Sequence, residues 1–89
     1  MKWHNNLLFG VIEGLDKIFL KNKYANKVVK NIIDKNKKWG SHDRNLVSET
    51  IFECVRWYRK YLYCCGLEEL SKEKDLWNLL GTYIIIKEQ

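Results

Sequence analysis

The sequence predicts an all-α protein, and three observations carry that prediction. The 89 residues contain no proline and only five glycines, which is poor material for a turn-rich β sandwich. Apolar residues recur at spacings of three and four in four separate segments, the signature of amphipathic helices. The one β-prone run, Tyr83–Ile86, has no second strand to pair with.

The first helix is read from Trp3, Leu7, Leu8, Val11, Ile12, Leu15, Ile18 and Phe19, which fall on one face. Gly10 and Gly14 share a side of it. Each costs about 1 kcal/mol of helix propensity against Ala, so close approach of another helix is their expected purpose. After "KNKY", with Asn22 as the expected N-cap, Tyr24, Ala25, Val28, Val29, Ile32 and Ile33 form a second stripe.

Trp39-Gly40 marks the next break. Gly40 is expected to end the second helix in the left-handed conformation, and Ser41 to cap the third, with Asp43 facing the helix dipole. That third helix is the longest and central, with its stripe on Leu46, Val47, Thr50, Ile51, Cys54, Val55, Tyr58, Tyr61, Leu62 and Cys65. Gly66 is its expected stop, and Ser71 caps the last helix. There Leu76, Trp77, Leu79, Leu80, Tyr83 and Ile84 run into Ile85 and Ile86. Three isoleucines in a row are apolar around most of a helix and ask for cover on several sides.

Eighty-nine residues make one domain, read here as residues 1–89. No apolar run reaches the ~18 residues of a membrane span, and the N-terminus lacks the unbroken apolar core of a signal peptide, so a cytoplasmic location is expected. Three cysteines, none in a C-x-x-C pair, are read as free buried thiols.

The net charge of +5 is unevenly spread. Between Lys21 and Lys38, seven lysines stand against Asp34 alone, so the remainder nets −1. Such a patch is a footprint for a polyanion. Lys23, Lys27 and Lys30, on the back of the second helix, and Lys37 and Lys38 are the expected phosphate contacts. Arg56, with Arg59 and Lys60 three and four residues beyond it on a shared face among Trp57, Tyr61 and Tyr63, heads a second set, and Glu53 is placed to pair with Arg56.

His42, Asp43 and Arg44 suggest a base, an orienting carboxylate and an anion clamp. Consecutive helical residues point about 100° apart, so the three do not converge on one atom. Asp43, Arg44 and Glu49 are assigned to structure, and Arg44 is expected to reach a carboxylate or helix end elsewhere. The scattered His and Cys match no metal spacing, and no phosphate-binding glycine loop is present.

Beyond these residue-level readings, "YANKVVKNIIDKNKKWGSHDRNLVSETIFECVRWYRKYLY" resembles the NusB-like N-terminal domain of RsmB/Sun/Fmu-type ribosomal RNA cytosine-C5 methyltransferases, Bacteroidetes-type branch. The likeness rests on a W-G-x-x-D-R junction, here Trp39, Gly40, Asp43 and Arg44, and on an E-x-x-[YF]-x-x-V-R-W helix, here Glu49, Phe52, Val55, Arg56 and Trp57. "MKWHNNLLFGVIEGLDKIF" and "DLWNLLGTYIII" extend it over almost the whole chain.

The resemblance implies a NusB-like helical bundle that binds ribosomal RNA without catalysing anything. The following domain of such enzymes carries the S-adenosylmethionine site and the catalytic cysteines, so no cofactor is expected in this chain. Cys54, Cys64 and Cys65 lie in helical core contexts and do not inherit the catalytic role. Such domains are longer than this one, so the chain is expected to be an N-terminal fragment. The alternative is a stand-alone interaction module that closes its Tyr83–Ile86 face by self-association.

Overall fold

The computed structural model describes residues 4–65 and 73–87. Helix α1 spans Asn5–Leu15, α2 Ala25–Lys35, α3 Ser41–Cys65 and α4 Glu73–Lys87. A wide π turn, Asp16–Leu20, extends α1. No strand occurs among the described residues, and the fold is an all-α bundle. Trp3, the Gly66 stop and the Ser71 cap lie outside the described residues, as do the side chains of Tyr61, Leu62 and Cys65.

The stripes read from the sequence meet in one core. Leu7, Val11, Ile12 and Leu15 of α1 pack with Val28, Val29 and Ile32 of α2, Val47, Ile51 and Cys54 of α3, and Leu76, Leu79, Leu80 and Tyr83 of α4. Helices α1 and α3 form the central pair, and α2 and α4 each pack on both. The 25 residues of α3 make it the longest element. At 1.5 Å per residue it is roughly 38 Å long, which matches the longest dimension of the molecule, 38 Å.

The glycines of α1 have the packing role their spacing suggests. A Cβ on Gly14 would lie 2.7 Å from Ile51 Cδ1 and 3.0 Å from Ile32 Cδ1, so α2 and α3 both close on this point. A Cβ on Gly10 would lie 2.6 Å from Trp39 Cη2. Trp39, read from the sequence as part of a break and of the junction motif but not of a core stripe, is a buried core residue.

Several boundaries differ from expectation. The apolar stripe of the first helix crosses a change of helix type: the Lys21 N–H donates to the Asp16 carbonyl five residues back, and the Lys23 N–H to Lys17. The widened turn keeps Ile18, Phe19 and Leu20 half-buried, with Phe19 stacked on Tyr58 at 4.4 Å. Asn22 is not an N-cap. It has φ +56°, the left-handed conformation that its short polar side chain tolerates. The chain reverses there, and Tyr24 takes the N-cap position of α2 without a side-chain cap.

Tyr24 does not belong to the buried stripe, because it precedes the first helical residue and is exposed. Helix α2 ends at Lys35, before Gly40, and Gly40 is not left-handed. The Gly40 carbonyl accepts from the Arg44 N–H at 3.0 Å, so Gly40 is the N-cap of α3 and Ser41 its first residue. Asp43 does lie in the first turn. The α4 end is not packed centrally: Ile85 and Ile86 are 63% and 50% exposed.

Candidate nucleic-acid interface

Helix α2 buries Val28, Val29 and Ile32, which turns Lys27, Lys30, Asn31 and Asp34 outward. Lys23, Lys37 and Lys38 flank the helix and are exposed as well. Lys23, Lys30, Lys37 and Lys38 have no carboxylate within ion-pair reach among the described residues. The Lys27 ammonium lies 5.9 Å from the Tyr24 ring centroid. Three neighbouring lysines do pair. Lys35 and Lys17 both reach Glu13, the latter at 3.3 Å, and Lys21 reaches Asp16 at 3.5 Å. These two contacts, led by the Lys35 hydrogen bond, hold the Glu13 carboxyl below its ordinary value against the opposing effect of burial.

The expected lysines divide between two depressions. At the start of α2, Lys17, Lys21, Asn22, Lys23, Tyr24, Lys27, Val28 and Asn31 line an open groove of about 560 Å³. No carboxylate lines it. The wide turn delivers Lys17 and Lys21, the Asn22 reversal delivers Lys23, and the first turn of α2 delivers Lys27. At the far end, Lys35, Lys37 and Lys38 line a smaller depression of about 370 Å³ with Asp34, Asn36 and Trp39. The 11 residues of α2 separate the two, a distance of roughly 16 Å. Lys30 stands exposed between them.

Arg56, Arg59 and Lys60 are exposed on α3 and line neither depression. Arg56 pairs with Glu53 at 3.7 Å, as its spacing suggests. The structure therefore keeps Lys23 and Lys27 together, sets Lys37 and Lys38 apart from them, and does not bring the α3 set to either groove. Sequence reading missed Lys17, Lys21 and Tyr24 as groove residues. Their signal was the run Lys17, Lys21, Lys23, whose clustering depends on a wide turn that no pattern announced.

The remaining candidates are structural or exposed. Glu49 joins α3 to α4 through Lys87 at 3.0 Å. His42 and Arg44 are exposed, and Arg44 meets no carboxylate among the described residues. Cys54 is a free thiol in the core, where burial, helped by the Glu53 charge, pushes it up to about 12. No group of three His, Cys, Asp or Glu side chains is arranged to hold a metal among the described residues. No described helix is long and apolar enough to cross a membrane. Comparison with protein families, with characterised proteins and with solved structures finds no match.

Proposed function

We propose that this chain is a non-catalytic, NusB-like RNA-binding domain that helps position ribosomal RNA for a following S-adenosylmethionine-dependent cytosine-C5 methyltransferase domain. The observation that carries the RNA-binding part is the series of lysines along and around α2 that lack carboxylate partners among the described residues. A cation left unpaired on a surface is available to neutralise a phosphate and release its counterion. The Trp39–Arg44 junction and the Glu49–Trp57 helix support the methyltransferase assignment through their resemblance to that family. A cytoplasmic location is part of this proposal.

The test is a titration of the chain with a structured ribosomal RNA fragment at several salt concentrations. Affinity is expected to fall linearly on a log–log plot as salt rises. Affinity independent of salt removes the reading.

A second reading has its own observation. Ile85 and Ile86 are exposed beside a depression lined by Glu53, Trp57, Tyr83, Ile86 and Lys87. An apolar patch of this kind suits protein docking or self-association. Sedimentation across a concentration series separates the two readings, since self-association through this face is reversed by Ile86→Lys.

A further inference from the structure

The groove at the start of α2 has a feature that phosphate binding alone does not require. Tyr24 is 77% exposed, yet it stands at a fixed place: it heads α2, and its carbonyl accepts the Val28 N–H at 3.0 Å. Its phenol donates no cap to the helix. Four lysines and two asparagines line the same groove. Glu13 and Asp16 pair with Lys17 and Lys21, which leaves Lys23 and Lys27 as the groove lysines with no carboxylate partner among the described residues. The Lys27 ammonium sits over one face of the Tyr24 ring, 5.9 Å from its centroid, so the other face is the one open to a base while the ammonium beside it meets the phosphate of the same nucleotide. Asn22 and Asn31 add amides that donate and accept hydrogen bonds.

We infer that this groove is a binding site for an unpaired nucleotide of RNA, whose base stacks on Tyr24 while Lys23 and Lys27 hold the adjoining phosphates. The inference rests on the RNA-binding reading above and narrows it to single-stranded segments. In a duplex the bases are stacked on one another and the surface offers phosphates, 2′-hydroxyls and base edges but no free base face, so an aromatic platform has nothing to receive. In an unpaired segment each base has a free face, and an exposed, positioned ring beside cations is the arrangement that exploits it. The lysines at the other end of α2 have no such partner: Trp39, the aromatic residue there, is buried against Gly10.

The test compares the full chain with Tyr24→Ala, Tyr24→Phe and the double variant Lys23→Gln/Lys27→Gln. The probes are an unstructured oligoribonucleotide and the same strand annealed to its complement. Tyr24→Ala is expected to weaken single-strand binding about tenfold, to leave duplex binding unchanged, and to keep the salt slope. Tyr24→Phe keeps the stack and the affinity. The double lysine variant lowers the salt slope on both probes. Because Tyr24 is exposed, circular dichroism is expected to show all variants equally folded. If the chain binds with a salt slope but Tyr24→Ala binds the single strand as tightly as Tyr24 does, the stacking site is overturned and the phosphate-binding reading stands. If the unaltered chain binds neither probe, both fall.

Discussion

Gly10 and Trp39 are in direct contact across the α1 face: a Cβ on Gly10 would lie 2.6 Å from the indole Cη2. Trp39 is only 6% exposed, with its ring packed on α1. Gly10→Ala therefore sets two effects against each other. Helix propensity improves by about 1 kcal/mol, while overpacking a filled site costs about 1–3 kcal/mol. The net expectation is destabilisation of about 1 kcal/mol in urea unfolding. Trp39→Phe shortens the opposing ring, so Gly10→Ala is expected to cost less in that background. A double-mutant cycle with no coupling removes the contact from the account.

Gly14 and Gly81 make a contrasting pair. A Cβ on Gly14 meets Ile51 Cδ1 at 2.7 Å, whereas one on Gly81 meets nothing within 4 Å. Gly14→Ala is expected to destabilise by about 1 kcal/mol net, an overpacking cost of about 1–3 kcal/mol being offset by about 1 kcal/mol of helix propensity, with Ile51→Val relieving part of it. Gly81→Ala gains propensity without a clash and is expected to stabilise by roughly 0.5–1 kcal/mol. Thermal unfolding of both single variants checks the opposite signs.

The fold class and the helix faces were legible because burial follows period: Leu7, Val11, Leu15, Val47, Ile51 and Cys54 are all buried as their spacing requires. The purpose of Gly10 and Gly14 was legible too, but not their partners, since Trp39 lies outside any stripe and contacts α1 across the fold. The lysine face of α2 could be read directly. Its division into two depressions could not, because that depends on the wide turn after Leu15 and on left-handed Asn22, which rearrange residues without changing composition. Tyr24 was misplaced because a tyrosine one residue before a helix has the spacing of a core residue and none of its burial.

The two basic sets are expected to differ in their effect on RNA binding. Neutralising Lys23, Lys27, Lys30, Lys37 and Lys38 to Gln should lower the log–log salt slope by roughly 0.7–0.9 for each lysine that contacts phosphate. Changing Arg56, Arg59 and Lys60 to Gln should lower it less, since Arg56 is already paired with Glu53 and the set borders neither groove. Equal losses per residue from the two sets would mean that RNA crosses α3 as well as α2.

Cys54 is fully buried, and its thiol is pushed up to about 12, so almost no thiolate is present at neutral pH. In a Cys64→Ser/Cys65→Ser background, a thiol reagent is expected to leave Cys54 unmodified in the folded protein and to modify it quickly in denaturant. Rapid modification of the native protein would mark the site as open and make a thiolate nucleophile at Cys54 tenable.

Glu13 ties the wide turn and α2 to α1 by accepting from both Lys17 and Lys35. Its carboxyl is held below the ordinary 4.5, chiefly by the Lys35 hydrogen bond. A depressed carboxyl contributes stability that is fully present above its unfolded value and is lost as pH falls through the folded one. Glu13→Gln should therefore lower the melting temperature at neutral pH, and the difference from the unaltered chain should shrink as pH drops below about 4.5. The side chain is 35% exposed and Lys35 is 58% exposed, so solvent screening reduces the effect. A loss of about 0.5–1 kcal/mol is expected at neutral pH, and less at high salt. Melting curves of both proteins across this pH range decide it: a gap that stays constant into strong acid would show that Glu13 acts by packing and not by charge.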